Sequence, residues 1–353
     1  MKKYLLVLML VFFGLIFGGC GVEGNSGDPG LKPNKDNPSA NQEEETEIDN
    51  GDTVGGEQPV AAKGPYEANE AGKVMVLMYH NIGYPEAEWT RTPENFRKDL
   101  ERLYERGYRL ISLSDYARGE INLPRGYAPV VLTFDDGSAG QFRLIKDELG
   151  NLNPDPESAV GILLDFAETH PGFGRAATFF TYYPLPFRQR EYISDKYLML
   201  QEFGMEIGNH TIGHQNLSKL SEIEVQRVLA EHQEETQKII PGYEVLSLAL
   251  PYGAKPKNVE LSLAGSFKET SYRNLAVLLV GANPAPGPYS KKFRPEAVPR
   301  VWASEQYITQ WMQYFEQHPL ELYISDGTSG TITVPQGLEE SINVPEGKQL
   351  QIN

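Results

Sequence analysis

The chain has 353 residues, of which 40% are hydrophobic, and a formal net charge of −16 at neutral pH. An acidic chain of this kind lacks the basic face that nucleic acids select, so we expect no nucleic-acid partner. Cys20 is the only cysteine, which excludes an intramolecular disulfide and a site built from several thiolates. Any bound metal must therefore be held by His, Asp or Glu.

The first twenty residues predict a secretion signal. Lys2 and Lys3 precede an apolar run that ends at Phe17 and is shorter than the roughly 20 residues that a membrane-spanning helix requires. The small residues before Cys20 make the segment resemble a bacterial lipoprotein signal, although Phe17 stands where leucine is usual. The resemblance implies an extracytoplasmic protein, anchored through lipid on Cys20 to the outer face of the bacterial cell membrane. An ordinary cleaved signal with an incidental cysteine is the alternative.

Residues 21–68 predict a disordered acidic linker. They are rich in Gly, Pro, Asn, Asp and Glu, and they cannot bury enough apolar surface to offset the entropy lost on ordering. The remaining residues suffice for one large domain or two small ones. We expect a single domain at 69–320, a small β extension at 321–353, and a monomer.

In chain order, the folded part begins with an apolar run, Lys73 to Tyr79, of buried-strand type. Thr92-Pro93 then predicts a helix start, with an apolar face that continues to Gly107. A second clear helix is predicted from Ser221 to Ile240, where Ser221 and Glu224 can form a capping box. Further strands are predicted at Tyr108–Leu113, Pro129–Phe134, Ala176–Tyr182, Met205–Asn209, Val245–Leu250, Leu275–Val280 and Val298–Trp302.

Continuous apolar strands that alternate with helices indicate an α/β fold with a parallel sheet, either a closed barrel or a doubly wound sheet. In both architectures, functional residues lie at the carboxyl ends of the strands. The residues with the most reactive chemistry follow predicted strands: His80, Asp135 with Asp136, His210, and the segment Pro251-Tyr252-Gly253.

Asp135 and Asp136 are adjacent carboxylates followed by Gly137. Neighbouring side chains on a strand point in opposite directions, so both reach one site only if the backbone turns there, which glycine permits. A β-turn with two solvated aspartates is the alternative.

His210 and His214 are four residues apart, a spacing that places two imidazoles on one face if the segment turns helically. Such a pair and one carboxylate form a three-ligand set for zinc, with a position open for water.

Thr133-Phe134-Asp135-Asp136-Gly137, then His210-Thr211-Ile212-Gly213-His214, then Pro251-Tyr252-Gly253 occur in this order, each after a strand. The combination resembles the polysaccharide deacetylases homologous to the rhizobial chitooligosaccharide deacetylase (NodB homology, carbohydrate esterase family 4). The resemblance spans roughly residues 74–302. It implies a distorted (β/α) barrel of seven or eight strands and metal-dependent removal of N-acetyl, or O-acetyl, groups from a cell-surface polysaccharide.

Carried over by position, the resemblance assigns Asp136, His210 and His214 as metal ligands, with Zn²⁺ as the expected ion. Asp135 becomes the general base, and the backbone N–H of Tyr252 becomes the donor to the oxyanion. We expect Thr211 either to brace the histidine turn through its hydroxyl or to be a simple loop residue.

Two features of the family are missing. Ala249 replaces an arginine that orients the catalytic aspartate in many relatives, and no Leu-x-Leu-His occurs near the end to supply a general acid. We expect Arg300 to reach Asp135 from a neighbouring strand, the alternative being a solvent-exposed arginine. His80 is the candidate acid, with a structural role as its alternative. The late His318 is not expected to act, and His170 and His232 are expected to be solvated.

Three function classes compete. An active deacetylase is the main hypothesis, and a catalytically inactive glycan-binding lipoprotein is the alternative, because two family features are absent. A free carboxylate beside a metal set favours the enzyme, since a binding module has no need of it. A metal-dependent phosphohydrolase fits poorly, because no cluster of arginine or lysine accompanies the aspartates.

Overall fold

The computed structural model describes residues 66–281 and 283–353. The predicted signal, Cys20 and all but the last three residues of the predicted linker lie outside the described residues. Within the described part of the chain, no helix is both long and apolar enough to cross a membrane.

The described residues form strands and helices in the alternation that the sequence predicts. The strands are β1 (Lys73–Tyr79), β2 (Asn81–Ile82), β3 (Thr90–Arg91), β4 (Tyr108–Leu110), β5 (Ala128–Phe134), β6 (Leu144–Lys146), β7 (Leu152–Pro154), β8 (Thr178–Thr181), β9 (Glu206–Asn209), β10 (Ser247–Ala249), β11 (Ala264–Phe267), β12 (Thr270–Arg273), β13 (Ala276–Leu278), β14 (Ala285–Pro286), β15 (Val301–Trp302), β16 (Thr331–Val334) and β17 (Gln349–Ile352). The α-helices are α1 (Pro93–Glu105), α2 (Leu113–Arg118), α3 (Ala159–Thr169), α4 (Ile193–Glu202), α5 (Glu222–Ile239), α6 (Glu260–Leu263) and α7 (Glu305–Gln317).

Seven parallel strands curl into a distorted barrel, in the order β15-β1-β5-β8-β9-β10-β13. A parallel bridge between Leu278 and Val298 connects β13 to the segment that leads into β15, so the barrel closes between its last and first strands. The predicted distorted (β/α) barrel is confirmed, and the doubly wound sheet is excluded.

The strand register sets the positions of the site residues. Tyr79 of β1 pairs with Phe134 of β5, so His80 and Asp135 leave the sheet side by side. Asn209 of β9 pairs with Thr181 of β8 and with Leu248 of β10. All of these strands run in the same direction, and their carboxyl ends therefore form one rim.

Local sequence explains where the two clearest helices begin. The Thr92 side chain caps α1 by accepting a hydrogen bond from the Asn95 backbone, and proline occupies the first turn. Ser221 and Glu224 form the predicted capping box at the start of α5. A side-chain cap satisfies a backbone donor that the first turn of a helix leaves without a partner.

The segment Tyr108–Leu113, predicted as one strand, divides into a three-residue strand and a short helix, α2. The Ser112 side chain accepts a hydrogen bond from the backbone N–H of Asp115, and Gly119 ends the helix in a left-handed conformation with φ 71°. Both signals lie in the sequence, but the apolar residues before them favoured a longer strand.

The C-terminal segment packs into the barrel. Ile332, Val334 and Ile342 lie in one buried cluster with Val74 and Val76 of the first strand. Strand β16 pairs in parallel with β17, which is exposed. The segment at 321–353 therefore contributes side chains to the same apolar core as the strands that position the site.

Candidate metal and catalytic site

Asp135 and Asp136 diverge at a backbone turn after β5. Asp136 has φ 79° and Gly137 has φ 54°, so the chain reverses at these two residues as the pair of carboxylates requires. Asp135 is 1% exposed, whereas Asp136 is partly exposed on the rim. The two neighbouring acids thus occupy different environments, one buried and one open to the solvent.

The two histidines come together through a turn that is not helical. Thr211 has φ 61° and His214 has φ 59°, both in the left-handed region. The Thr211 hydroxyl accepts a hydrogen bond from the Gln215 backbone at 2.7 Å, so it braces the turn. The imidazole rings lie 4.9 Å apart and nearly perpendicular. The predicted proximity is present, although its geometric cause is a loop and not a helix face.

One oxygen of Asp136 lies between the two imidazoles. Its Oδ1 is 3.4 Å from Nε2 of His210 and 3.3 Å from Nε2 of His214. Burial acts to raise the pKa of Asp136, but hydrogen bonds from His210 and His214 and the charges of His210 and His80 outweigh it and hold that pKa well below its usual range. Asp136 is therefore ionised at neutral pH and available as a ligand.

Arg300 contacts Asp135 with both ends of its guanidinium. Its Nη1 and Nη2 donate to the two carboxylate oxygens at 2.7 Å each, and both side chains are buried. The Nε atom donates to the Leu279 carbonyl at 2.8 Å, and Nη1 also donates to the Thr133 hydroxyl at 3.1 Å. The arginine absent at position 249 thus has a counterpart in the residue that directly precedes β15.

This pair controls the charge on Asp135. Burial acts to raise the pKa of Asp135, but the charge of Arg300 and its paired hydrogen bonds more than compensate, so the pKa is lowered. The carboxylate is therefore ionised and fixed in one orientation at neutral pH.

His80 stands at the same rim. Its environment includes the charges of Asp135, Asp136, Arg300 and His210, and burial is the largest cause of a lowered pKa. Its Nδ1 atom is buried without a hydrogen-bond partner. The ring also packs against Trp89, with ring centroids 4.5 Å apart.

The comparisons with known proteins agree with this geometry. Residues 124–267 match the sequence model of the polysaccharide deacetylase family. These residues contain a polysaccharide deacetylase domain. This match confirms the predicted enzyme class, a hydrolase of the polysaccharide deacetylase type. The match includes Asp135, Asp136, His210, His214 and Tyr252, whereas His80 and Arg300 lie outside it.

Solved structures share the fold. The deacetylase PplD of Streptococcus pyogenes, solved in complex with acetate, is 15% identical with a TM-score of 0.50, and the match covers 68% of this chain and 97% of that one. A polysaccharide deacetylase of Bacillus cereus is 20% identical with a TM-score of 0.50, and the match covers 68% of each chain. No curated protein sequence matches the chain.

The deacetylase domain holds a donor set that fits a divalent metal. One atom each from Asp136, His210 and His214 lies within 4.8 Å of the others. Nδ1 of His210 is hydrogen-bonded to the Ala249 carbonyl at 2.9 Å, and Nδ1 of His214 contacts the Tyr252 hydroxyl at 3.2 Å. With both Nδ1 atoms occupied, the Nε2 atoms remain as ligands, which is the arrangement that metal-binding histidines need.

Tyr252 adopts a left-handed conformation with φ 60° and leaves its side chain 69% exposed. The three motifs contain four non-glycine residues with positive φ, namely Asp136, Thr211, His214 and Tyr252. Such conformations cost about 1–3 kcal/mol each and persist where the surrounding structure enforces them, often at functional sites.

The other histidines have structural roles. His232, expected to be solvated, is fully buried, and its Nε2 contacts the Thr181 carbonyl at 2.8 Å. That expectation was wrong because position 232 lies on the face of α5 that packs on the barrel. His170 is also only partly exposed, and it stacks on Phe166. His318 stacks on Tyr314 at the end of α7.

Two residues that the sequence did not single out support the site. The Gln141 side-chain amide donates to the backbone carbonyls of His80 and Asp135, and it joins the ends of β1 and β5. Arg188 donates to the Asp136 carbonyl at 3.1 Å and to the Tyr182 hydroxyl. Neither residue belongs to a motif, and only the folded chain brings them to the rim.

Proposed function

We propose that this protein is a metal-dependent hydrolase that removes N-acetyl groups from an extracytoplasmic polysaccharide. The observation that carries the proposal is an ionised, oriented carboxylate, Asp135, adjacent in sequence to one member of the Asp136–His210–His214 donor set. A water and an acetamide that share this site would meet a base and a cation at the same time.

Zinc is the proposed ion. Bonds of about 2.0–2.1 Å in a tetrahedral site place neighbouring donors about 3.3–3.4 Å apart. The separations between Asp136 Oδ1 and the two Nε2 atoms, 3.4 and 3.3 Å, agree with that spacing. When bound, the cation would polarise the acetyl carbonyl and lower the pKa of the attacking water.

Asp135 is the proposed general base. The water oxygen adds to the acetyl carbonyl carbon while its proton passes to the Asp135 carboxylate. Arg300 keeps that carboxylate ionised before the step and holds its orientation through two parallel hydrogen bonds. The Thr133 hydroxyl and the Leu279 carbonyl in turn fix the guanidinium.

Tyr252 and His80 complete the proposed reaction. The backbone N–H of Tyr252 donates to the oxygen that becomes negative when the tetrahedral intermediate forms. His80, whose lowered pKa leaves the ring neutral, takes the proton held by Asp135 and passes it to the departing amine as the bond between carbon and nitrogen breaks. The products are acetate and a free amino sugar, and Asp135 is ionised again. The buried Nδ1 of His80, which has no hydrogen-bond partner, and the place of His80 beside Asp135 support this role.

The proposed substrate is an N-acetylated polysaccharide of the cell envelope. We also propose that lipid on Cys20 anchors the protein outside the cell membrane, because the first twenty residues resemble a lipoprotein signal. Cys20→Ser should abolish lipid labelling of the protein in cells, and unchanged labelling would contradict the anchor.

Acetate release tests the proposed activity. The chain from residue 21 onward is incubated with a panel of purified N-acetylated and O-acetylated glycans, with and without a chelator. We expect acetate release that the chelator stops and that added zinc restores. Glycan binding without acetate release would favour an inactive lectin-like protein, and phosphate release from phosphorylated substrates would favour a phosphohydrolase.

A further inference from the structure

The side chain of Tyr252 makes a contact that the proposed role of its backbone N–H does not use. The turn Pro251–Gly253 follows β10, and the left-handed conformation of Tyr252 directs its ring toward the histidine turn. The ring centroids of Tyr252 and His214 are 4.8 Å apart at an angle of 73°. A side chain that is 69% exposed is thus held against a single imidazole.

The contact is between the Tyr252 hydroxyl and Nδ1 of His214, at 3.2 Å. The other ring nitrogen of His214, Nε2, lies 3.3 Å from Asp136. A neutral imidazole has one N–H and one lone pair, so the partner of one nitrogen decides which atom the other offers. If Nδ1–H donates to the hydroxyl oxygen, Nε2 presents its lone pair to a metal.

His210 and His214 differ in the group that bonds to Nδ1 and so sets the tautomer of the ring. His210 is 2% exposed, and its Nδ1 bonds to a main-chain carbonyl, that of Ala249, at 2.9 Å. A carbonyl can only accept, so it enforces the Nδ1–H form of His210. His214 is partly exposed, and its Nδ1 partner is a hydroxyl that a single substitution removes.

We propose that the Tyr252 hydroxyl is a positioning group for His214, which fixes the tautomer and ring orientation that metal binding requires. This inference rests on the proposed function, because it assumes that His214 is a ligand. Tyr252 then serves the site twice, through its backbone N–H toward the substrate and through its hydroxyl toward the metal ligand. The first role survives in Tyr252→Phe, and the second does not.

Zinc titration against a competing chelator measures the effect. Loss of an outer hydrogen bond of this kind weakens metal affinity by about 10–100-fold. We expect a loss in this range for Tyr252→Phe. The matched control is Tyr182→Phe, because the Tyr182 ring also lies beside His214, at 5.4 Å, but its hydroxyl accepts from Arg188. All variants carry Cys20→Ser, so that the only thiol cannot bind zinc.

The outcomes separate this inference from the proposed function. A wild-type chain that binds no stoichiometric zinc would overturn both. Wild-type binding with equal affinity in Tyr252→Phe would overturn only the positioning role. Nitrogen-15 NMR of the zinc-loaded wild-type protein gives a measurement that needs no variant. We expect zinc at Nε2 of His214 and a proton at Nδ1, and zinc at Nδ1 would overturn the inference.

Discussion

Arg300 stands where a family arginine would act, although it arrives from another part of the chain. Its guanidinium contacts Asp135 through two bonds of 2.7 Å, and both groups are buried. A buried charge pair of this kind depends on both partners, because removing one leaves an uncompensated charge. Orientation of the base and retention of its charge therefore rest on one residue that no motif contains.

Arg300→Lys should lower kcat much more than it raises KM. Lysine keeps the positive charge but cannot donate two parallel hydrogen bonds, so the carboxylate loses its fixed orientation. We expect a fall in kcat of roughly tenfold or more, by analogy with the 10²–10⁴-fold contribution of general base catalysis. Steady-state kinetics on an acetylated glycan measures it, and wild-type turnover in the variant would rule out the role of Arg300.

Asp135→Asn and Asp136→Asn should separate the two adjacent acids by function. Asp135 is buried against Arg300, so its amide variant should retain zinc but lose activity, since the proton acceptor is gone. Asp136 lies between the two imidazoles, so its variant should lose zinc as well. Metal analysis of the purified proteins decides, and the reverse pattern would exchange the two roles.

At the scale of the elements, the site depends on how neighbouring strand ends are joined. The Gln141 amide is fully buried and donates to carbonyls that follow β1 and β5. Gln141→Leu should lower the free energy of unfolding by about 1–3 kcal/mol, because both carbonyls lose their donor while they stay buried. Urea unfolding measures this. Gln189→Leu is the control variant. The Gln189 side chain also bonds to backbone groups, those of Leu144, but Gln189 is only partly buried. An equal loss of stability in both variants would contradict a special role for Gln141.

The elements show what the sequence could predict. Long apolar runs such as β1 and β5, and helices with clear caps such as α1 and α5, match their predicted positions to within one or two residues. Short strands are less distinct, because three buried residues such as β10 carry no periodicity. The motif residues were predictable because reactive residue types followed strands in a fixed order.

Contacts between distant segments were harder to predict. Arg300 could be proposed, because a single cation in an apolar run needs a partner. Gln141 and Arg188 carry no such signal, because an amide or an arginine in a loop is usually solvated. The buried environment of His232 follows from how α5 packs, which its local sequence did not show.

On the scale of the whole molecule, Glu70 connects the two ends of the folded chain. It precedes β1, and its carboxylate accepts hydrogen bonds from the Tyr323 hydroxyl at 2.8 Å and from the Thr333 backbone at 2.9 Å. Glu70 is 3% exposed. Its surroundings also include Asp326 and Lys348, one of each charge. The C-terminal segment is thus attached to the start of the barrel through a buried acid.

This acid should make stability depend on pH between about 4.5 and 7. Burial raises the pKa of Glu70 from 4.5 to about 7, although the hydrogen bonds from Tyr323 and Thr333 act to lower it. The folded protein therefore binds this proton more tightly than the unfolded chain does. The stabilising contribution is fully present below pH 4.5, and it is lost as pH rises through about 7.

Glu70→Gln tests this contribution, because the amide cannot titrate. Other groups also change stability over this range; His232, whose pKa is lowered by burial from 6.5 to about 3, acts in the opposite sense. The informative quantity is therefore the difference in free energy of unfolding between wild type and Glu70→Gln, measured by urea unfolding from pH 4.5 to 8 with a chelator present. We expect wild type to lose stability relative to the variant as pH rises.

Glu346→Gln, an exposed substitution in the same C-terminal segment, should follow wild type at every pH. A constant difference between wild type and Glu70→Gln across the range would show that folding does not raise the pKa of Glu70, and that its two hydrogen bonds offset its burial.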